Sequence, residues 1–84
     1  MNKIIGGKKY DTETATCVYS GDWYRGHKTE IYKKKSGEFF SLSLTQWQGE
    51  ENTIDPLSLD EAKSQLENFL SGVKYESLFG EVQE

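Results

Sequence analysis

His27 and Cys17 are the only histidine and the only cysteine in the chain, so any thiol–imidazole chemistry would have to come from this one pair. A nucleophile of that kind needs the imidazole within hydrogen-bond reach and a third group to orient it. Neither residue sits in such a motif. His27 falls in Trp23-Tyr24-Arg25-Gly26-His27-Lys28, a polar stretch broken by a glycine. Cys17 falls in the alternating, β-branched run from Thr14 to Tyr19, which predicts a strand with Ala15, Cys17 and Tyr19 on one face and a buried, unreactive thiol. A single Cys and a single His do not make a zinc set. Gly6-Gly7-Lys8-Lys9 lacks the spacing, the hydroxyl residue and the helix of a phosphate-cradling loop. The expectation is a protein without enzymatic activity, metal or cofactor.

Two other constellations have binding chemistry. Lys33-Lys34-Lys35, with Arg25 and Lys28 and the rings of Trp23 and Tyr24, offers phosphate contacts and stacking surfaces. With an overall charge of −4, the plainer reading is favoured: a solvated hairpin tip whose lysines discourage strand pairing. The opposing constellation is acidic. Residues 1–49 hold eight Lys/Arg against five Asp/Glu (+3), and residues 50–84 hold two lysines against nine acids (−7). Glu50, Glu51 and Asp55 follow directly after Trp47, joining carboxylates to a large ring. Carboxylates can substitute for phosphates in a basic channel on a partner, and exposed Trp and Tyr favour the centres of interfaces.

The elements that must hold these residues are those of an α+β fold. Ile4-Ile5 reads as a short strand, with Gly6-Gly7 as its turn. A hairpin runs in through Glu30–Lys33, turns near Gly37 and returns through Glu38–Thr45. Its returning strand puts Phe40, Leu42 and Leu44 on a core face; Phe39, Ser41, Ser43, Thr45 and Trp47 lie on a half-wet one. Two registers are possible. A two-residue Ser36-Gly37 turn sets Ile31 opposite Leu42, and a type I turn with a bulge sets Tyr32 opposite Phe40. The first is preferred because it pairs apolar with apolar. Pro56 is expected to end the strand region. Ser58-Leu59-Asp60-Glu61 is a capping box, and Leu59, Ala62, Leu66, Phe69, Leu70 and Val73 share one helical face, which predicts a helix over 58–71 stopped by Gly72. A further turn over 75–79 closes at Gly80. The last four residues should fray. The whole reads as a single domain over 1–84: an antiparallel sheet of three to five strands with one C-terminal amphipathic helix packed on it. No stretch approaches a membrane span, the opening residues read as neither secretory leader nor myristoylation site, and the lone cysteine fits a reducing, cytoplasmic setting.

Four stretches also carry a resemblance. In order they are Gly7-Lys8-Lys9-Tyr10-Asp11-Thr12-Glu13-Thr14-Ala15, Ile31-Tyr32-Lys33-Lys34-Lys35-Ser36-Gly37-Glu38-Phe39-Phe40, Pro56-Leu57-Ser58-Leu59-Asp60-Glu61-Ala62 and Phe79-Gly80-Glu81-Val82. Together they resemble short acidic proteins of phages, prophages and conjugative elements of Gram-positive bacteria. That group has a glycine-rich loop after its Phe-Phe strand, where this chain continues through Thr45-Gln46-Trp47-Gln48-Gly49. The resemblance implies a mobile-element origin and an anti-defence role of the kind anti-CRISPR inhibitors play. The resulting expectation is a cytoplasmic protein that binds and inhibits a host protein, such as a nucleic-acid-handling defence complex. Its expected surface is acidic and aromatic: Trp47, Glu50, Glu51, Asp55, Trp23 and Tyr24. The alternative is a small nucleic-acid-binding or regulatory module that uses the basic hairpin.

Overall fold

The computed structural model describes residues 1–80; the fraying expected of the last four lies outside the described residues. The elements run β1 (Asn2–Ile5), β2 (Lys8–Asp11), β3 (Thr16–Ser20), β4 (His27–Lys33), β5 (Phe39–Thr45), β6 (Thr53–Leu57), α1 (Leu59–Phe69) and α2 (Gly72–Phe79). The strands form two antiparallel sheets, a β1–β2 hairpin and a meander in the order β3-β4-β5-β6. The α+β class therefore holds. The main sheet falls within the expected range, and the separate hairpin and α2 add to it.

The β4–β5 register is that of the type I turn with a bulge, not the expected apolar-to-apolar pairing. Tyr32 lies opposite Phe40, and Ile31 lies opposite Ser41. The turn explains this. Gly37 N donates to Lys34 O at 2.9 Å, and Lys34 N donates to Glu38 O at 2.7 Å. Gly37, at φ +98°, absorbs the extra residue as a bulge after a tight turn. Matching apolar to apolar across one face failed because both faces of this sheet are buried.

On one face, Phe40, Leu42 and Ile54 meet Tyr10 of the N-terminal hairpin, with Ile5 and Ala15 at the margin. Tyr10 meets Phe40 edge-on at 5.5 Å, and Tyr32 stacks on Phe40 at 5.3 Å. On the other face, Ile31 and Phe39 meet Ala62 and Leu66 of α1. The expectation of a half-wet Phe39 is thus corrected: the ring is buried, with Phe79 of α2 5.5 Å away. Each fully buried aliphatic or aromatic side chain contributes about 1.5–3 kcal/mol.

Helix α1 begins as its sequence dictates. Glu61 N donates to Ser58 Oγ at 3.1 Å, and Ser58 N donates to Glu61 Oε1 at 3.2 Å, closing the capping box. Its apolar face is only partly covered. Ala62 and Leu66 are fully buried, whereas Leu59 and Phe69 are exposed; Val73, expected on the same face, lies exposed in α2 instead. Phe69, expected in the core, stacks flat on Tyr19 with a centroid separation of 4.5 Å and stays half open to solvent. Gly72 does not stop the helix. The chain breaks at Leu70 in extended conformation, and Ser71 caps a second helix that ends at Gly80. Nor does Pro56 end the strands. It sits within β6, an edge strand, where its missing N–H costs no ladder bond.

A candidate docking surface at the loop end of the sheet

The β3–β4 and β5–β6 connections leave the sheet at the same end and are tied together there. Tyr24 N donates to His27 O at 2.8 Å, and His27 N donates to Tyr24 O at 3.0 Å, closing a two-residue turn. Its central residues, Arg25 (φ +51°) and Gly26 (φ +81°), both have the positive φ of a type I′ hairpin. Trp47 lies across this turn. Its Nε1 donates to Arg25 O at 2.9 Å, and Gln46 N donates to Gly26 O at 2.8 Å. Gly26 leaves the room: a Cβ there would fall 2.4 Å from Trp47 Nε1.

Polar side chains fix the second loop. Thr45 Oγ1 accepts from Trp47 N at 3.1 Å and donates to Glu50 Oε1 at 2.7 Å; the same carboxylate oxygen lies 3.0 Å from His27 Nε2. Asn52 Oδ1 accepts from Thr45 N at 2.9 Å. The loop is therefore anchored at both ends, while the rings it presents stay open: Trp47 is 57% exposed, Tyr24 70% and Trp23 45%. The Arg25 guanidinium stands 5.3 Å from the centroid of Tyr24.

Of the expected surface residues, Trp47, Trp23, Tyr24, Glu50 and Glu51 gather at this end. Glu51 lines an open groove of about 280 Å³ with Glu50, His27, Lys28 and Thr45. Glu50 has a supporting role too, because its carboxylate is bonded within the loop. Asp55 is elsewhere. It is exposed on β6 opposite Ser41, four residues beyond Glu51, or about 13 Å at strand rise. Sequence reasoning missed Gly26, the Arg25 carbonyl, Thr45 and Asn52 as the scaffold. The available signal was a residue–glycine pair between two strand-like runs, weak because Arg rarely takes positive φ.

The lysine-rich end has a different character. Lys8 Nζ bonds Glu38 at 2.9 Å, and Lys34 Nζ reaches the same carboxylate at 3.4 Å while standing 4.3 Å over the Tyr10 ring. The Lys8 hydrogen bond holds the Glu38 carboxyl below its ordinary range, and Glu38 in turn raises the lysine.

Cys17 is not buried, contrary to expectation. A bulge between Cys17 and Tyr19 turns these two residues to opposite faces, so that Cys17 pairs with Tyr32 and Tyr19 with Ile31. The thiol donates to Tyr19 O at 3.3 Å. Partial desolvation and then the nearby Glu30 carboxylate raise its pKa, which lowers its nucleophilicity at neutral pH. Cys17 also lies opposite Tyr32, five residues along β4 from His27, about 17 Å at strand rise. The structure does not assemble the pair. Among the described residues no three His, Cys, Asp or Glu side chains gather as metal ligands, and no helix is long and apolar enough to cross a membrane.

No protein-family model, curated protein or solved structure matches this chain.

Proposed function

We propose that this chain is a non-enzymatic binding protein that docks onto a host protein through Trp47, Tyr24 and Trp23, with Glu51 at the margin, and inhibits it. The observation that carries this reading is the anchored turn. Large rings are left exposed on a backbone fixed by hydrogen bonds, so little conformational entropy is lost when a partner covers them. At this end three carboxylates, Asp22, Glu50 and Glu51, stand against Arg25 and Lys28, a balance that suits a basic protein surface better than a phosphate backbone. The lysines that would serve a nucleic-acid module are partly engaged by Glu38 and Tyr10. The resemblance to small mobile-element proteins supplies the rest of the proposal: a host-cell cytoplasmic target in a nucleic-acid-handling defence complex, inhibited in the manner of an anti-CRISPR protein.

The test is affinity capture from a bacterial lysate with the wild-type chain and with a Tyr24→Ala/Trp47→Ala variant confirmed to fold. A protein captured by the first and lost by the second supports the proposal. Tight, steeply salt-dependent binding of DNA or RNA by both would overturn it in favour of the basic hairpin.

A further inference from the structure

The two edges of the four-stranded sheet are built differently. β6 contains Pro56, which has no N–H to offer, beside the charge of Asp55. β3 (Thr16-Cys17-Val18-Tyr19-Ser20) contains neither a proline nor a charged residue, and no strand lies along its outer side among the described residues. An edge with neither proline nor charge presents its unpaired N–H and C=O groups to another strand. The bulge at Val18 increases local twist but places no charge on the edge.

Apolar surface runs alongside. Val18, Leu70 and Leu78 line an open groove of about 280 Å³ together with Lys74 and Ser77. A second, more polar groove of about 410 Å³, also bordered by Lys74, runs from Cys17 through Tyr19 to Phe69. Phe69 and Cys17 remain exposed there.

We infer that the outer edge of β3 pairs antiparallel with β3 of a second copy of this chain, joining the two meanders into one continuous sheet. The contrast between the edges selects that occupant. An uncharged strand paired with itself about a two-fold axis brings no like charges into the ladder and uses the same patch twice. Each outer edge of the joined sheet is then a β6 with its Pro56, so assembly stops at two copies instead of growing into a fibre.

Sedimentation of the full chain under reducing conditions, across a dilution series, tests this. The wild type is expected to reach twice the 9.6 kDa chain mass. Cys17→Lys and Thr16→Glu each place a charge on the open edge at an exposed position, and each should weaken the dimer by at least about tenfold. Thr53→Lys, exposed on the guarded edge, should leave it unchanged. Circular dichroism confirms folding of each variant. If Cys17→Lys unfolds, Thr16→Glu decides, together with amide exchange of β3, which should slow as wild-type concentration rises. A wild type that stays monomeric throughout, or a dimer indifferent to both edge charges, overturns the inference.

Discussion

The β4–β5 hairpin has two ends that use similar raw materials in opposite ways. At its turn, two lysines and an aromatic ring engage one another: Lys8 and Lys34 share Glu38, and Lys34 covers Tyr10. At its open end, an arginine, a histidine and three large rings also meet, but the polar bonds secure the backbone and leave the rings facing water. A conspicuous run of charge in a sequence is thus a weak guide to a binding surface. What separates the two ends is whether the bonds occupy the exposed charges or, as with the Trp47 indole N–H on Arg25 O, fix a ring by one atom and leave it largely open to solvent.

Both ends depend on the shared core, so the largest effect is expected there. Leu66→Ala should destabilise the fold by about 2–4 kcal/mol, visible as a lower denaturation midpoint. An unchanged curve would mean that α1 does not support the sheet. The sharpest contrast between the ends is in partner binding. Trp47→Ala should cost about 2 kcal/mol or more, mainly through a faster off-rate, whereas Lys34→Ala should leave affinity unchanged. Equal losses in the two variants would erase the distinction. Gly26→Ala probes the anchoring directly. An alanine at φ +81° with its Cβ against the indole should cost about 1–3 kcal/mol and shift the tryptophan emission as Trp47 is displaced.

The smallest effect is expected between β3 and β4. Burial alone would raise the Glu30 pKa, but hydrogen bonds from Ser20, Tyr32 and Lys28 outweigh it and hold the carboxyl below its ordinary value of 4.5. A depressed folded-state pKa gives stability that is present above pH 4.5 and lost as pH falls through the folded value. Glu30→Gln should flatten that part of the acid-denaturation profile, and an unaltered profile would remove Glu30 from the account.

The parts legible in the sequence were those governed by local rules. Ser58 and Glu61 specify a helix start through reciprocal hydrogen bonds three residues apart, and Gly6-Gly7 and Gly37 mark turns. The misread parts depended on what lies across the sheet. Phe39 looked half-wet, and Ile31 was matched to Leu42, only because a single core face was assumed; helices cover one side of the sheet, where Phe39 and Ile31 are buried, and a hairpin covers the other. Cys17 and Tyr19 looked like neighbours on one face because a bulge leaves no mark in an alternating pattern. At the site, Trp47, Tyr24 and Glu51 could be singled out by residue type. The turn that holds Trp47 could not, since it joins residues 22 positions apart through a backbone carbonyl.

The meander has one more consequence, for how quickly the molecule assembles. From β3 to β6 every strand pairs with the strand next in sequence, so each step closes only a short loop. Such local wiring places folding of this sheet on the order of milliseconds, fast for a β-rich chain. The β1–β2 hairpin closes on its own Gly6-Gly7 turn and meets the rest chiefly through Tyr10 against Phe40. It can therefore dock after the meander has formed, and substitutions at Tyr10 should speed unfolding more than they slow folding.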